Sequence, residues 1–492
     1  MAIMPSATDQ AIALPVRRLS IQSGLRGLDR RIPGSEVQRY TMTIVQGKSP
    51  ATRIPANAGV PWSRRTVLEA LAARGIAIPS IVLLNTVPAA AHASQSSAPH
   101  ADDPRSASSA PSPRDADQDV AARGFTDPVL ELVRLLREAA DMEHASLLQY
   151  TYSAFSLKPG YEAIGGYDSR DTMSLLLIAI EKMKHLGALN RMLNTLGAAP
   201  RLSPPSFPFK SDSYPFSLNL EPLSREALAR YIYREVPPEW FDNKNIDTPD
   251  GKLVGTICNM LGVPTRREAS IFSTIVSVAG EVGRSPDTDL PDLTRWIDAL
   301  RLLETRDRQA RFDFLKELFL GSDPAFAGHG DVWRLPITDP GYPSYDMISN
   351  PTACNGQTSR GSDPVILALT RLGNLQYGTV LLFLDLYFRH HLSTYRSLAI
   401  THMMGPVRSV GKYLPRFGAG MPFDAIDVSD SSGLDAKHRL RFVLALLQEG
   451  QSAAEAIGPG LPPDYPLSVN RETIAKLREM DIPKGTGPTT IR

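Results

Sequence analysis

Glu143, Glu181, Lys182 and His185 are the residues whose types and spacing could do chemistry in this chain. Glu143 lies in LVRLLREAADMEHASLLQYTYSAFSL. Steps of three and four through that segment take Leu132, Leu136, Ala139, Glu143, Leu147, Tyr150 and Ala154, so a carboxylate interrupts an apolar helical stripe near its middle. In SLLLIAIEKMKHLGALNRMLNTLGAAP the same steps take Leu175, Ile178, Lys182, His185, Leu189, Met192 and Leu196. A cation and an imidazole interrupt that stripe at the same depth. The two segments read as one helical hairpin from Leu132 to Pro200, with the interruptions facing each other. An unpaired buried charge is costly, so the pairing calls for a chemical explanation. A Glu on one helix and a Glu/His pair one turn apart on its neighbour form half of a carboxylate-bridged di-iron site in a helix bundle.

Three stretches carry a wider resemblance: LREAADMEHASLLQYTYSAFSLKPG, IAIEKMKHLGALNRMLNTLGAAPRL and YPFSLNLEPLS. They resemble the ferritin-like domain of the iminophenylpyruvate dimer synthases, enzymes of violacein- and rebeccamycin-type bisindole pathways. The later stretches VWRLPITDPGYPSYD, GNLQYGTVLLFLDLYF and THMMGPVRSVGKYLPRFGAGMPFDA fit as well, so the likeness runs from Asp127 to Ala425. Residue by residue, Glu143 matches the family's first-helix ligand and His185 the His of its Glu-x-x-His. The Glu of that motif is Lys182 here, with Glu181 one place earlier. Aligned on REASIFSTIV, the third helix has Ser270 where a Glu would ligate. On the fourth, LLETRDRQARFDFLKELFLG, the expected His falls on Arg308. The resemblance implies an all-α, ferritin-like helical bundle with long loops and a C-terminal helical extension.

The rest of the chain must position this hairpin. Ser63-Arg64-Arg65-Thr66-Val67-Leu68 precedes a mainly apolar run from Gly75 to Ala91 and the triplet Ala91-His92-Ala93. A basic region, an apolar region and A-x-A make a secretory signal, and the paired Arg64 and Arg65 make it a twin-arginine one. Residues 1–93 are therefore read as an N-terminal extension and signal peptide, which implies a periplasmic or secreted protein. Met42 would give a signal of normal length, so Met1 and Met42 both stand as starts. Residues 94–124 read as a Ser/Pro/Ala/Asp-rich linker, 125–425 as the bundle domain and 426–492 as the extension. Asp127 and Pro128 supply a helix start. SREALARYIYREV forms a short amphipathic helix. Glu268 to Gly283 is expected as a third core helix and Leu290 to Leu320 as a fourth. One stripe of the fourth takes Ile297, Leu300, Glu304, Arg308, Arg311 and Leu315. Either that stripe is buried, or Glu304 and Arg308 form a solvated pair at helical spacing. The aromatics of the insertion Gly321 to Asp363 imply that it packs. Leu367 to His391 is an apolar helix, Ser397 to Leu414 continues helical with His402 as a hydrogen-bonded core residue, and the tail holds Asp435 to Ile457 and Arg471 to Met480. Cys258 and Cys354 are either unrelated thiols or one disulfide.

A net charge of +1 gives no global pull toward nucleic acid or an acidic membrane. Phosphate loops, dinucleotide fingerprints, Gly-x-Ser-x-Gly, Cys-x-x-Cys and basic stripes interleaved with aromatics are all missing from the sequence, and the mature chain carries no membrane span. Two functions remain. In one, Glu143, Glu181 and His185, with Glu304 nearby, hold iron or manganese for oxidative coupling of an amino-acid-derived imine, as the resemblance implies. In the other, no metal is bound: Lys182 and Arg308 replace it with buried ion pairs, and the bundle is a binding or scaffold protein. The partner would be a small aromatic substrate in the first case and a co-exported protein in the second.

Overall fold

The computed structural model describes residues 123–480, apart from 168–172, 237–246, 266–269, 285–292, 354–356, 360, 362 and 425–435; all of these described residues fall within the unit Asn85–Arg492. The signal motif, the linker to residue 122 and Cys354 lie outside them.

Helix α1 (Pro128–Phe155) starts where the sequence predicts. The Asp127 carboxylate accepts from the amides of Val129 and Leu130, both at 2.9 Å, and Pro128 occupies the first turn, where no donor is needed. From Met142 to Phe155 every residue is buried, so α1 is a central rod rather than a surface helix. Its polar residues are satisfied locally or across packed elements: Ser146 and Thr151 donate back to Met142 and Leu147, and Ser153 to the Glu221 carbonyl. Helix α2 (Leu175–Thr195) begins at a Ser174 cap and runs back along α1, completing the hairpin.

Helix α3 (Arg225–Glu235) is capped by Ser224, α4 (Pro249–Leu261) by Thr248 and α5 (Ile271–Val282) by Ser270. The expected fourth core helix is two: α6 (Thr294–Thr305) and α7 (Arg308–Leu320). The chain breaks at Asp307, whose φ of 54° is left-handed, a conformation that Asp tolerates better than most residues. After the insertion come α8 (Pro364–His390), α9 (Ser393–His402) and α10 (Arg408–Tyr413). A π-type turn at Met403–Val407 separates the last two, at the point where Pro406 removes a backbone donor. The extension forms α11 (Ala436–Ile457) and α12 (Val469–Glu479).

Three faces of α1 feed three apolar clusters. Leu147, Tyr150 and Ala154 pack with α2, α3, α4 and α7. Leu132, Leu136 and Ala139 pack with the far half of α2, α5 and α6. Leu148, Tyr152 and Phe155 pack with α8 to α12. Four helices thus surround the hairpin's polar interruption: α1, α2, α3 and α7. The architecture is an all-α helical bundle, and no named strand occurs among the described residues. Helix α8 is long and apolar enough by composition to cross a membrane, but 67% of its apolar window is buried in the protein, as befits a core helix.

The insertion packs as its aromatics imply. Phe326, Trp333 and Tyr342 meet edge to face, Tyr161 leans on Phe326, and Trp333 Nε1 donates to the Leu318 carbonyl at the end of α7. His402 is fully buried, with one ring nitrogen 3.1 Å from Gln376 Oε1 and the other 3.1 Å from Thr473 Oγ1. That contact ties the C-terminal extension to α8.

Candidate functional site

At the bundle centre Glu143 projects from α1, Lys182 and His185 from α2, Glu235 from the last position of α3, and Arg311 from α7. Lys182 Nζ lies 3.2 Å from Glu235 Oε1 and 3.9 Å from Glu143 Oε2. Arg311 Nε holds the other Glu235 oxygen at 2.7 Å, and its Nη1 reaches Glu181 at 2.9 Å. Tyr150 donates to Glu235 Oε1 at 3.4 Å. Arg234 donates to Gln149 Oε1 at 2.6 Å and to Ser146 Oγ, and its guanidinium lies against the rings of Tyr150 and Tyr214. Glu235 is 2% exposed and Arg311 3%, so these are fully desolvated ion pairs, in the range where geometry decides their worth.

The electrostatics follow from that geometry. Burial by itself would raise the Glu235 carboxyl, but Lys182, Arg311 and Arg234 outweigh it and hold the group well below the ordinary carboxylate value. Glu143 behaves alike: burial pushes up, while Lys182, His185 and Arg234 push down further. Arg311 is held above its ordinary value because Glu235 and Glu181 overcome the cost of burial. Three carboxylates (Glu143, Glu181, Glu235) face three cations (Lys182, Arg234, Arg311), and these six charges cancel.

One pair stands apart. His185 Nδ1 and Glu143 Oε2 are 3.3 Å apart but not aligned for a hydrogen bond, and neither atom has a hydrogen-bond partner among the described residues. Phe272 of α5 presents its edge to the imidazole, with ring centroids 6.3 Å apart. Two unpartnered buried donors are what a metal would use, and they are the part of the centre that fits one. The rest does not fit. Glu235, the next carboxylate, has one oxygen on Lys182 and the other on Arg311, and Glu181 is held by Arg311. Among the described residues no group of three or more His, Cys, Asp or Glu side chains is placed to hold a metal ion. A divalent ion would also add its charge to a centre where these six charges already cancel, beside the ammonium of Lys182.

The sequence reading therefore meets the structure unevenly. Glu143, Glu181, Lys182 and His185 come together at the hairpin centre. The Glu304 side chain lies outside the described set. Arg308 is the first residue of α7 and half-exposed; the left-handed Asp307 resets the register, and Arg311, one turn on, is the cation that enters the bundle. Ser270 is a helix cap in this structure. At the start of α5 it accepts from the Phe272 amide at 3.2 Å, and the bundle's third acidic helix is α3. Glu235 escaped the sequence reading although it carries the same mark as Glu143: steps of three and four give Leu228, Tyr231 and Glu235, an apolar stripe ending on a carboxylate. Cys258 is a buried free thiol in α4, its pKa raised to about 11 by burial.

A protein-family model described as Ferritin-like matches residues 136–262. The match ends at Gly262, the left-handed cap of α4, and so contains Glu143, Glu181, Lys182, His185 and Glu235. No curated protein and no solved structure matches the chain. The match supports the ferritin-like superfamily, while the narrower synthase resemblance rests on the sequence motifs alone.

Proposed function

We propose that this chain is an exported ferritin-like bundle protein that works as a binding or scaffold protein, its centre closed by ion pairs in the place of metal. The observation that carries this reading is Glu235, both of whose oxygens are taken by cations of the protein, Lys182 at 3.2 Å and Arg311 at 2.7 Å. In a di-iron centre the metal ions balance the charge of the clustered carboxylates that bind them, and here side chains supply that charge. Export rests on Arg64 and Arg65, and a co-exported protein is the partner this reading calls for.

One observation favours a second reading, a metal-dependent oxidoreductase that couples amino-acid-derived imines. It is the unpartnered pair Glu143 Oε2 and His185 Nδ1, 3.3 Å apart. The two readings separate on oxygen uptake. Protein incubated anaerobically with Fe(II), then given oxygen and an aryl pyruvate imine, should consume oxygen no faster than Fe(II) in buffer. Uptake that exceeds this blank and is lost in His185→Ala would establish the oxidoreductase instead.

A further inference from the structure

We propose that the Lys182 ammonium occupies the position a divalent ion would take between Glu143, His185 and Glu235, and that this one side chain closes the centre to metal. The inference rests on the ion-pair reading above and assigns the exclusion to a single residue. Lys182 Nζ lies between the two carboxylates, 3.9 Å from Glu143 Oε2 and 3.2 Å from Glu235 Oε1. Carboxylates of two helices, α1 and α3, thus converge on one ammonium carried by α2. One turn along α2, His185 turns Nδ1 toward the same Glu143 oxygen at 3.3 Å. Ammonium–carboxylate contacts of this length exceed metal–oxygen bonds of about 2.0–2.2 Å, so the present spacing suits a lysine and would have to tighten around an ion.

Removal of the ammonium leaves three donors to an ion. Glu143 Oε2 and His185 Nδ1 already lack partners, and Glu235 Oε1 would keep only the long Tyr150 contact. Two carboxylate oxygens and one imidazole make a mixed oxygen and nitrogen set suited to Mn(II), Fe(II) or Co(II). The charge changes in the same direction. The six charges cancel with Lys182; Lys182→Ala leaves their sum one unit negative and Lys182→Glu two, the complement of a divalent ion. Lys182→Glu also places a carboxylate three residues before His185. Arg311 keeps its hold on Glu181 and on the far oxygen of Glu235, so neither substitution need dismantle the network.

The test is Co(II) titration of the full chain, read by visible d–d absorption and by metal retained after gel filtration, with circular dichroism as the fold check. Wild type should retain no more Co(II) than its His185→Ala variant. Lys182→Glu should retain one ion per chain, with bands that vanish in Lys182→Glu/His185→Ala and weaken in Lys182→Glu/Glu235→Gln. If Lys182→Glu does not fold, Lys182→Ala is titrated in its place and should likewise gain a His185-dependent site, a weaker one. A folded Lys182 variant that retains no more Co(II) than wild type overturns the inference and leaves the ion-pair reading standing. Wild type that itself binds one Co(II) through His185 overturns that reading as well.

Discussion

Replacement of Glu235 by Gln removes the charge that two buried cations share while keeping the side-chain volume. Lys182 at 3.2 Å and Arg311 at 2.7 Å then face an amide, Lys182 keeps only the 3.9 Å contact to Glu143, and Arg311 keeps Glu181. Loss of one partner from a buried pair costs about 3–5 kcal/mol, because the other charge stays desolvated. At roughly 2 °C per kcal/mol for a large domain, the thermal midpoint should fall by about 6–10 °C. Circular dichroism melts at neutral pH measure this directly. The matched control is Arg371→Gln, which breaks an exposed pair with Glu449 (side chains 69% and 51% exposed) and should cost no more than about 1 kcal/mol. Lys182→Met added to Glu235→Gln removes the stranded ammonium and should return part of the loss. If Glu235→Gln melts within error of the Arg371→Gln control, Glu235 is not the hub of a desolvated network and the reasoning fails.

Other consequences follow from the same network and its surroundings. Burial lowers both His144 and His402 to about 4, so the unfolded chain binds more protons than the folded one between that value and the ordinary imidazole range near 6.5. Stability should therefore drop as pH falls through that window, and His402→Gln should flatten the slope seen in urea melts. Glu235 and Glu143 act lower down: their folded values are depressed, so their contribution is complete above the ordinary carboxylate range and is lost only as pH falls below it. A Cβ at Gly411 of α10 would overlap the Phe155 ring of α1, so Gly411→Ala should cost about 1–3 kcal/mol through overpacking, visible as a lower urea midpoint. Export should stop when Arg64 and Arg65 are both changed to Lys, as cell fractionation would show; undiminished periplasmic protein would rule out the twin-arginine route.

The hairpin was legible because its signals are local. Asp127-Pro128 marks the start of α1, and the stripes through Glu143 and His185 show which faces turn inward. The α3 contribution was harder to read. Glu235 ends a short helix of eleven residues just ahead of Pro237-Pro238, and an acid at such a point reads as a chain-end charge until tertiary packing buries it. The α6–α7 break depends on one backbone angle at Asp307, which helical periodicity does not encode; of the two arginines on the expected stripe, Arg311 enters the bundle and Arg308 stays half-exposed. At Ser270 the resemblance places a ligand position, whereas the hydroxyl caps α5.

The measurement that bears most directly on the central claim is the metal content of wild-type protein purified from its native compartment without chelator, determined by plasma mass spectrometry beside His185→Ala. The ion-pair centre predicts iron plus manganese well short of one ion per chain and the same in both proteins. One or two tightly held ions per chain, lost in His185→Ala, would contradict it: Lys182 would then point elsewhere, and the bundle would be a metalloenzyme.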